Sequence, residues 1–416
     1  MAPQLAVVAA EGEEKKQLDE YVRQHRDALM RSLRGKGHLS MRGFKVTSVK
    51  TFQAAVDNLG RRPMTDYLPA EYGRDTLHSA KAIYHTNVLH RTGAYLTPEV
   101  LPHSENYYAL HPPRLIAFWC EKSSWIGGGT LIVDGVAAYK SLNRRIRSKL
   151  TRRACTVRRI VSKKRLAKRY GVGPSSVAKL VRECVACGVH VVPFDRVAKY
   201  RCDFASASHL LFSFVKPSII SSSGPGGSST DEKRASLAIN FGEFGGHARN
   251  ALFSELEARG YFDGLTFAPL RMLWYIARLS SLVSRMLPII DALPIWFCRP
   301  LRKLAAWREA RDAERIFDSF LAALLNGVNV DKTLGDTLSS SDAAKLGQVL
   351  AQEACMVEWR VDDVLLLDNT RTLHDGLPGV GPRCLRVALA DAMPLPQRHL
   401  SGGLFEDDGE VPERVF

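Results

Sequence analysis

The sequence predicts an α+β fold in which a β core follows N-terminal helices and is interrupted by a long helical, basic insertion. Three observations carry this. Helical periodicity dominates the first sixty residues; apolar strand-like runs bounded by Gly and Pro cluster around residues 114–135 and 359–391; and a basic, then helical, stretch separates the two clusters. Strands of one core lying on both sides of an excursion predict a single domain over residues 1–416. Within it, residues 1–135 hold the helices and first core strands, 136–330 the insertion or lid, and 331–416 the last core strands.

Each element has a local cause. From Lys15 to Gly35, Leu18, Tyr21, Val22, Leu29 and Leu33 recur at helical spacing, and "GKG" stops the helix. "HLSMRGFKV" alternates as a strand does, and "VKTFQAAVDNLG" reads as a second helix closed by Gly60. "RLIAFWCE" (Arg114 to Glu121) and "GGGTLIVDG" (Gly127 to Gly135) read as two core strands joined by a turn. A short helix pair around Leu166 to Val185 and a strand "GVHVVPF" follow. "SSSGPGGSST", Ser221 to Thr230, reads as a flexible loop, and residues 267–325 as helices with proline breaks. "WRVDDVLLLDN" and "RCLRVALAD" read as strands flanking the loop "TRTLHDGLPGVGP".

Composition sets the class. With 45% apolar and 24% charged residues the chain is globular, and no internal repeat is visible. Eight scattered cysteines with one close pair, Cys184 and Cys187, do not complete a tetrahedral zinc set; reduced thiols in a cytoplasmic protein are expected. The N-terminus lacks the charged start and longer apolar run of a secretion signal, and no segment holds about 18 uninterrupted apolar residues, so no spanning helix is expected.

The net charge of +15 is localised. Sixteen Lys and Arg and no Asp or Glu lie between Gly135 and Arg182, leaving 42 basic against 43 acidic residues elsewhere. Within this block "LAKRYGVGPSSVAKLV" has the form of a helix-turn-helix, which gives Lys163 to Val185 a nucleic-acid-binding alternative; a solvated basic insertion is the preferred reading. The apolar stretch Arg271 to Lys303 has two readings also. Broken by Pro288 and Pro294, it fits a helical lid or a peripheral membrane contact.

The chemistry-bearing pattern is "PHSENYY". An H-x-E pair on extended chain points both side chains the same way, as two ligands of a two-histidine, one-carboxylate iron centre would. His103 and Glu105 have that spacing, and His374, after the apolar run "DVLLLDN", is the candidate third ligand. On spacing alone, a polar loop remains the competing reading.

Beyond this pattern the chain resembles the taurine dioxygenase (TauD/TfdA) family of iron(II)/2-oxoglutarate oxygenases, in the clavaminate-synthase-like superfamily, and most of all its branch with H-x-E-N-x-Y. The resemblance runs through "LRGKGHLSMRGFKV…FQAAVDNLG", "PHSENYY", "PPRLIAFWCEKSSWIGGGTLIVD" and the segment from "LGDTLSSSDAAKLGQVL" to "GPRCLRVALAD", in the same order. It implies a double-stranded β-helix, or jelly roll, with iron(II), 2-oxoglutarate and O2 as cofactor and cosubstrates.

It further implies His103, Glu105 and His374 as iron ligands and Thr130 as the threonine that hydrogen-bonds a 2-oxoglutarate carboxylate. The branch usually has G-P-R-R where this chain has "GPRCLR". Arg383 matches the first arginine and Cys384 replaces the second. Arg386, on the same side of a strand as Cys384, is the alternative donor of a guanidinium to the cosubstrate. Asn106, Tyr107 and Tyr108 are candidate substrate contacts. Related halogenases carry a small residue at the carboxylate position. Glu105 therefore implies hydroxylation, or another C–H oxidation of a small organic substrate, with 2-oxoglutarate decarboxylated to succinate and CO2.

Overall fold

Leu18, Val22, Leu29 and Leu33 form one stripe of the first helix, and in the computed structural model all four are buried. The structure describes residues 5–9, 17–64, 76–77, 80–85, 94–95, 102–105, 112–162, 190–194, 209–222, 234–239, 241–261, 329–334, 337–377 and 379–392. The helices among them are α1 (Leu18–Lys36), α2 (Val49–Asn58), α3 (Gly135–Ser141), α4 (Arg144–Arg152), α5 (Gly245–Ala258) and α6 (Ser340–Gln352).

The strands of the first half are β1 (Val7–Ala9), β2 (His38–Arg42), β3 (Thr76–Leu77), β4 (Ala80–His85), β5 (Ala94–Tyr95), β6 (Pro113–Lys122), β7 (Ile126–Gly127) and β8 (Thr130–Asp134). Next come β9 (Ala154–Ser162), β10 (His190–Phe194), β11 (His209–Pro217), β12 (Ile219–Ser222), β13 (Arg234–Leu237) and β14 (Asn329–Leu334). The chain closes with β15 (Ala354–Val357), β16 (Val364–Asp368), β17 (Thr372–Gly376), β18 (Gly379–Val380) and β19 (Cys384–Ala392).

Two compact units hold these elements. The larger, from Met1–Arg147, Ile219–Gly327 and Leu338–Ala392, contains a seven-stranded sheet in the order β1-β2-β16-β6-β19-β4-β3 and a three-stranded sheet β15-β8-β17. Apart from the parallel β1–β2 pair, neighbours in both are antiparallel. β6, β16 and β19 are buried on both faces, so alternate residues enter two different cores. Leu115, Ala117, Trp119, Leu366, Ala388 and Ala390 pack with α1 and α2. Ile116, Phe118, Leu365, Leu367, Val387 and Leu389 pack with Ile132, Cys355 and Val357 of the smaller sheet.

The helices begin and end at local signals. Gly37, at φ 81°, closes α1 with its N–H on the Leu33 carbonyl. Ser48 and Ser339 cap α2 and α6. Asp134 accepts from the N–H groups of Val136 and Ala137 at the start of α3, and also takes the Arg371 guanidinium, whose Nη2 lies 2.6 Å away. Arg371 donates in addition to the carbonyls of Arg34 and Gly35, tying the end of α1 to the turn before β17. At Gly347 of α6 an added Cβ would lie 2.4 Å from the Ala248 carbonyl of α5, so glycine permits the close approach of the two helices.

Three differences from the sequence reading have physical causes. β6 and β8 are not a paired hairpin: β6 lies between β16 and β19, whereas β8 lies between β15 and β17. The two runs are equally apolar because both are core strands, and apolar pattern alone does not assign partners. Second, "TLHDG", expected as loop, is strand β17. It is short, polar and followed by Gly and Pro, yet four of its five residues are buried. Third, Ser221 and Ser222, expected as loop, complete β12 opposite Ala235 and Arg234.

The smaller unit, from Ser148–Ser218, Val328–Thr337 and Met393–Phe416, contains the antiparallel sheet β10-β11-β9-β14. Buried Arg153 donates from Nη1 to Ser218 Oγ at 2.9 Å. The basic block is therefore not helical throughout: its described residues run from α3 and α4 into strand β9. Lys163 to Val185, expected as a helix pair, residues 267–325, expected as helices and including Arg271 to Lys303, and Asn106, Tyr107 and Tyr108 lie outside the described residues. Among the described residues no helix is long and apolar enough to cross a membrane.

One buried carboxylate gives the larger unit a pH signature. Asp368 accepts from the Thr370 N–H at 2.9 Å and the Thr370 hydroxyl at 2.7 Å, but burial outweighs these bonds and raises its pKa from 3.8 to about 6. The raised value means that the folded state disfavours the ionised form. Its contribution to stability is full below pH 4 and is lost as pH rises through 6, to a limit of about 3 kcal/mol. Asp368→Asn keeps the acceptor oxygen, and its unfolding free energy, compared with wild type from pH 4 to 8, should lack this decline.

Candidate metal centre

His103 and His374 lie 271 positions apart in sequence and are brought together by backbone pairing. The His103 N–H donates to the His374 carbonyl at 3.1 Å and the His374 N–H to the His103 carbonyl at 2.9 Å. Residues directly opposed in an antiparallel pair project to the same side. Their imidazole centroids are accordingly 4.6 Å apart. The other side of the His103 segment is held where Ser104 donates to the Ile239 carbonyl and Phe241 to that of Pro102.

His374 is opposite Ile132 of β8, one of the residues between the two sheets, so its ring faces that shared core. Phe118 meets the ring edge-on at 5.6 Å. Glu105 completes the group: its Oε2 lies 3.2 Å from His374 Nε2, and both side chains are buried. One ligand atom from each of His103, Glu105 and His374 falls within 4.8 Å of the others. That is close to the span of two metal–ligand bonds of about 2.1 Å, and two nitrogens with one anionic oxygen suit ferrous iron. The donor set thus fits the metal. No second group of this kind occurs among the described residues.

Asn369, which the sequence reading did not single out, fixes the glutamate. Its Oδ1 accepts from the Glu105 N–H at 2.6 Å, and its Nδ2 donates to the carbonyls of Glu105 at 2.9 Å and Pro113 at 2.7 Å. Both ends of a buried amide are thereby used on backbone that would otherwise be free to shift the carboxylate. Asn369→Ala should lower iron(II) affinity by roughly 10- to 100-fold, the range for outer partners of metal ligands, in a competitive chelator titration.

Beyond the donor set lies a polar pair. Thr130 starts β8, and Arg383 directly precedes β19; both are buried, with Arg383 Nη2 3.2 Å from Thr130 Oγ1. "GGGT" shapes this end. Gly128 has φ +72°, and a Cβ there would meet Ser124 Oγ at 2.2 Å and Arg383 Cδ at 3.4 Å. A guanidinium beside a hydroxyl in a dry environment fits a carboxylate, so the chain has the fittings for 2-oxoglutarate as well as iron.

Arg386 is placed differently. It is opposite Trp119, on the face that packs with α1 and α2, where its Nε donates to Glu121 Oε2 at 2.5 Å. Cys384 shares that face and donates to the same carboxylate at 3.4 Å. Val387 and Leu389, at the parity of Arg383, face the core between the sheets. Cys120 lies near Arg383; burial pushes its thiol up to about 12, so the neutral form persists there. Burial likewise holds the Asp375 carboxyl well above the usual range, against the opposing charge of Arg383.

The family match agrees with this chemistry. Residues 3–213 match the model of the "Taurine catabolism dioxygenase TauD, TfdA family", a span that includes His103, Glu105 and Thr130 and ends before His374 and Arg383. No curated protein matches the chain. Solved structures similar to it include PvcB, an Fe, alpha-ketoglutarate dependent oxygenase from an isonitrile synthetic pathway, at 12% identity and TM-score 0.47, covering 95% of this chain and 91% of that one. AAD-2 in complex with Mn(II) and N-oxalylglycine is 12% identical at TM-score 0.43, covering 94% and 95%. A taurine dioxygenase from Burkholderia xenovorans is 12% identical at TM-score 0.44, covering 95% and 91%. On the family match, which takes in half of its residues, this chain belongs to the TauD/TfdA family and is an oxidoreductase, a 2-oxoglutarate-dependent dioxygenase that uses iron.

Proposed function

We propose that the protein oxidises, by hydroxylation, an unactivated C–H bond of a small organic substrate at an iron(II) centre held by His103, Glu105 and His374. The observation that carries this is the convergence of those three donors in the core shared by two facing sheets. The facing sheets support the double-stranded β-helix reading of the larger unit. That unit also contains every described site residue, which supports reading the chain as one oxygenase core interrupted within residues 136–330.

When bound, iron(II) with 2-oxoglutarate and O2 supplies the oxidising chemistry, releasing succinate and CO2. The protein's part is positioning. His103 and His374 occupy adjacent positions through their mutual backbone bonds, and Asn369 holds Glu105 in line with them. The Glu105 carboxylate would take the ligand position that a halide would need, which favours hydroxylation over halogenation. Arg383 and Thr130 bind and orient the cosubstrate carboxylate, a role favoured for Arg383 over Arg386 by the side of β19 each faces. Phe118 and the neighbouring aliphatic residues exclude water beside His374. Asn106, Tyr107 and Tyr108, immediately after Glu105, are proposed substrate contacts.

The test is succinate formation by purified protein with 2-oxoglutarate and O2. Release that requires added iron(II) and disappears in His374→Ala supports the assignment; release unchanged in His374→Ala contradicts it.

A further inference from the structure

Thr130 Oγ1 receives two donors. Arg383 Nη2 lies 3.2 Å from it, and the indole Nε1 of Trp359 lies 2.9 Å from it. Trp359 comes two residues after Val357, which pairs with Thr130 at the end of β15, and its ring packs against the core between the two sheets. Trp359 is neither one of the proposed iron ligands nor a member of the Thr130–Arg383 pair, but it contacts that pair through Thr130.

The consequence follows from the donor inventory. A hydroxyl has one hydrogen and two lone pairs, whereas an indole N–H and a guanidinium can only donate. With Trp359 and Arg383 both donating to it, the Thr130 oxygen has both acceptor positions filled. Its own proton is then directed to a third group, and an anionic oxygen beside Arg383 is the acceptor that best matches. Without the indole N–H, the hydroxyl would be free to rotate among alternative partners.

Trp359 is itself held. Arg42 donates to the Glu358 carbonyl and, at 3.1 Å, to Asp363 Oδ2, which also accepts from the Arg360 N–H at 3.0 Å. Cys120 of β6 exchanges backbone bonds with Asp362 and Asp363, each of 2.9 Å. The turn carrying the indole is therefore braced on one side by β2 and on the other by β6.

We propose that Trp359 is a positioning residue for the cosubstrate: its N–H fixes the Thr130 hydroxyl as a donor to the 2-oxoglutarate carboxylate held by Arg383. This rests on the reading of Thr130 and Arg383 as the cosubstrate end of the site. It assigns to the tryptophan an effect on 2-oxoglutarate binding that packing alone would not produce.

The test is a double-mutant cycle read by binding, not turnover. Anaerobic iron(II)-loaded protein is titrated with 2-oxoglutarate, following the weak visible metal-to-ligand absorption. Trp359→Phe keeps an aromatic ring and removes the N–H. Its dissociation constant should rise about 3- to 10-fold, the scale of one hydrogen bond. Thr130→Val should also weaken binding, and adding W359F to it should change the constant by less than about twofold, because the residue through which Trp359 acts is gone. If W359F does not fold, Trp359→Tyr, whose hydroxyl occupies a different place on the ring, replaces it in the cycle. An unchanged constant in W359F overturns the proposal, and so do fully multiplicative losses in the double variant. Absence of 2-oxoglutarate binding by iron-loaded wild-type protein overturns the Thr130–Arg383 reading as well.

Discussion

His374→Ala should leave a folded protein with no measurable iron- and 2-oxoglutarate-dependent succinate release and with iron(II) affinity reduced by more than about 100-fold. The lower bound follows because losing only an outer partner of a ligand costs roughly 10- to 100-fold. His374 contributes twice: its imidazole is one of the three donors proposed to hold the metal, and its backbone pairs with His103. Alanine preserves the second contribution, so the fold around His103 should survive. A core imidazole beside Phe118 also fills space, and its removal should cost stability in the range for large-to-small core changes, about 2 to 4 kcal/mol. Thermal unfolding with and without iron(II) checks both parts: wild type should gain stability from the metal, and the variant should not.

The second large effect separates two arginines three residues apart. Arg383→Gln should raise the 2-oxoglutarate concentration needed for half-saturation by roughly 100-fold, since losing one partner of a buried charge pair costs about 2 to 5 kcal/mol. Arg386→Gln should change it by less than about threefold. Its guanidinium is committed to Glu121 on the helix-covered face, and its loss should appear as stability of about 1 kcal/mol or less. Steady-state half-saturation of succinate release against 2-oxoglutarate in the two variants decides the assignment. Equal losses in both would contradict it.

That contrast also marks where sequence stops being informative. Alternation along "RCLRVALA" places Cys384 and Arg386 on one face and Arg383 on the other from sequence alone. Which face lies between the sheets is not legible, because apolar residues line both: Val387 and Leu389 enter one core, Ala388 and Ala390 the other. Cys384, the departure from the expected second arginine, belongs to the helix-covered face, so an arginine there would not have pointed at Thr130.

The N-terminal helices were legible to within a few residues, since their stops are local signals: "GKG" at the end of α1, with Gly37 as its cap, and Gly60 after α2. Partner choice among core strands was not, because β6 and β8 carry the same apolar pattern and lie in different sheets. Asn369 and Trp359 escaped notice for a related reason. Their contacts, to Glu105 and Thr130, span 264 and 229 positions, and neither residue type in a strand-turn setting announces a long-range partner. The H-x-E spacing did carry a signal, because a pair two residues apart can be read without knowing the fold.

The most direct test of the metal and cosubstrate assignment is the anaerobic visible spectrum of wild-type protein on adding iron(II) and then 2-oxoglutarate. A weak metal-to-ligand band should develop with 2-oxoglutarate and should be missing in His374→Ala under the same conditions. Iron-loaded wild-type protein that shows no such band, or a band of unchanged strength in His374→Ala, would contradict the account.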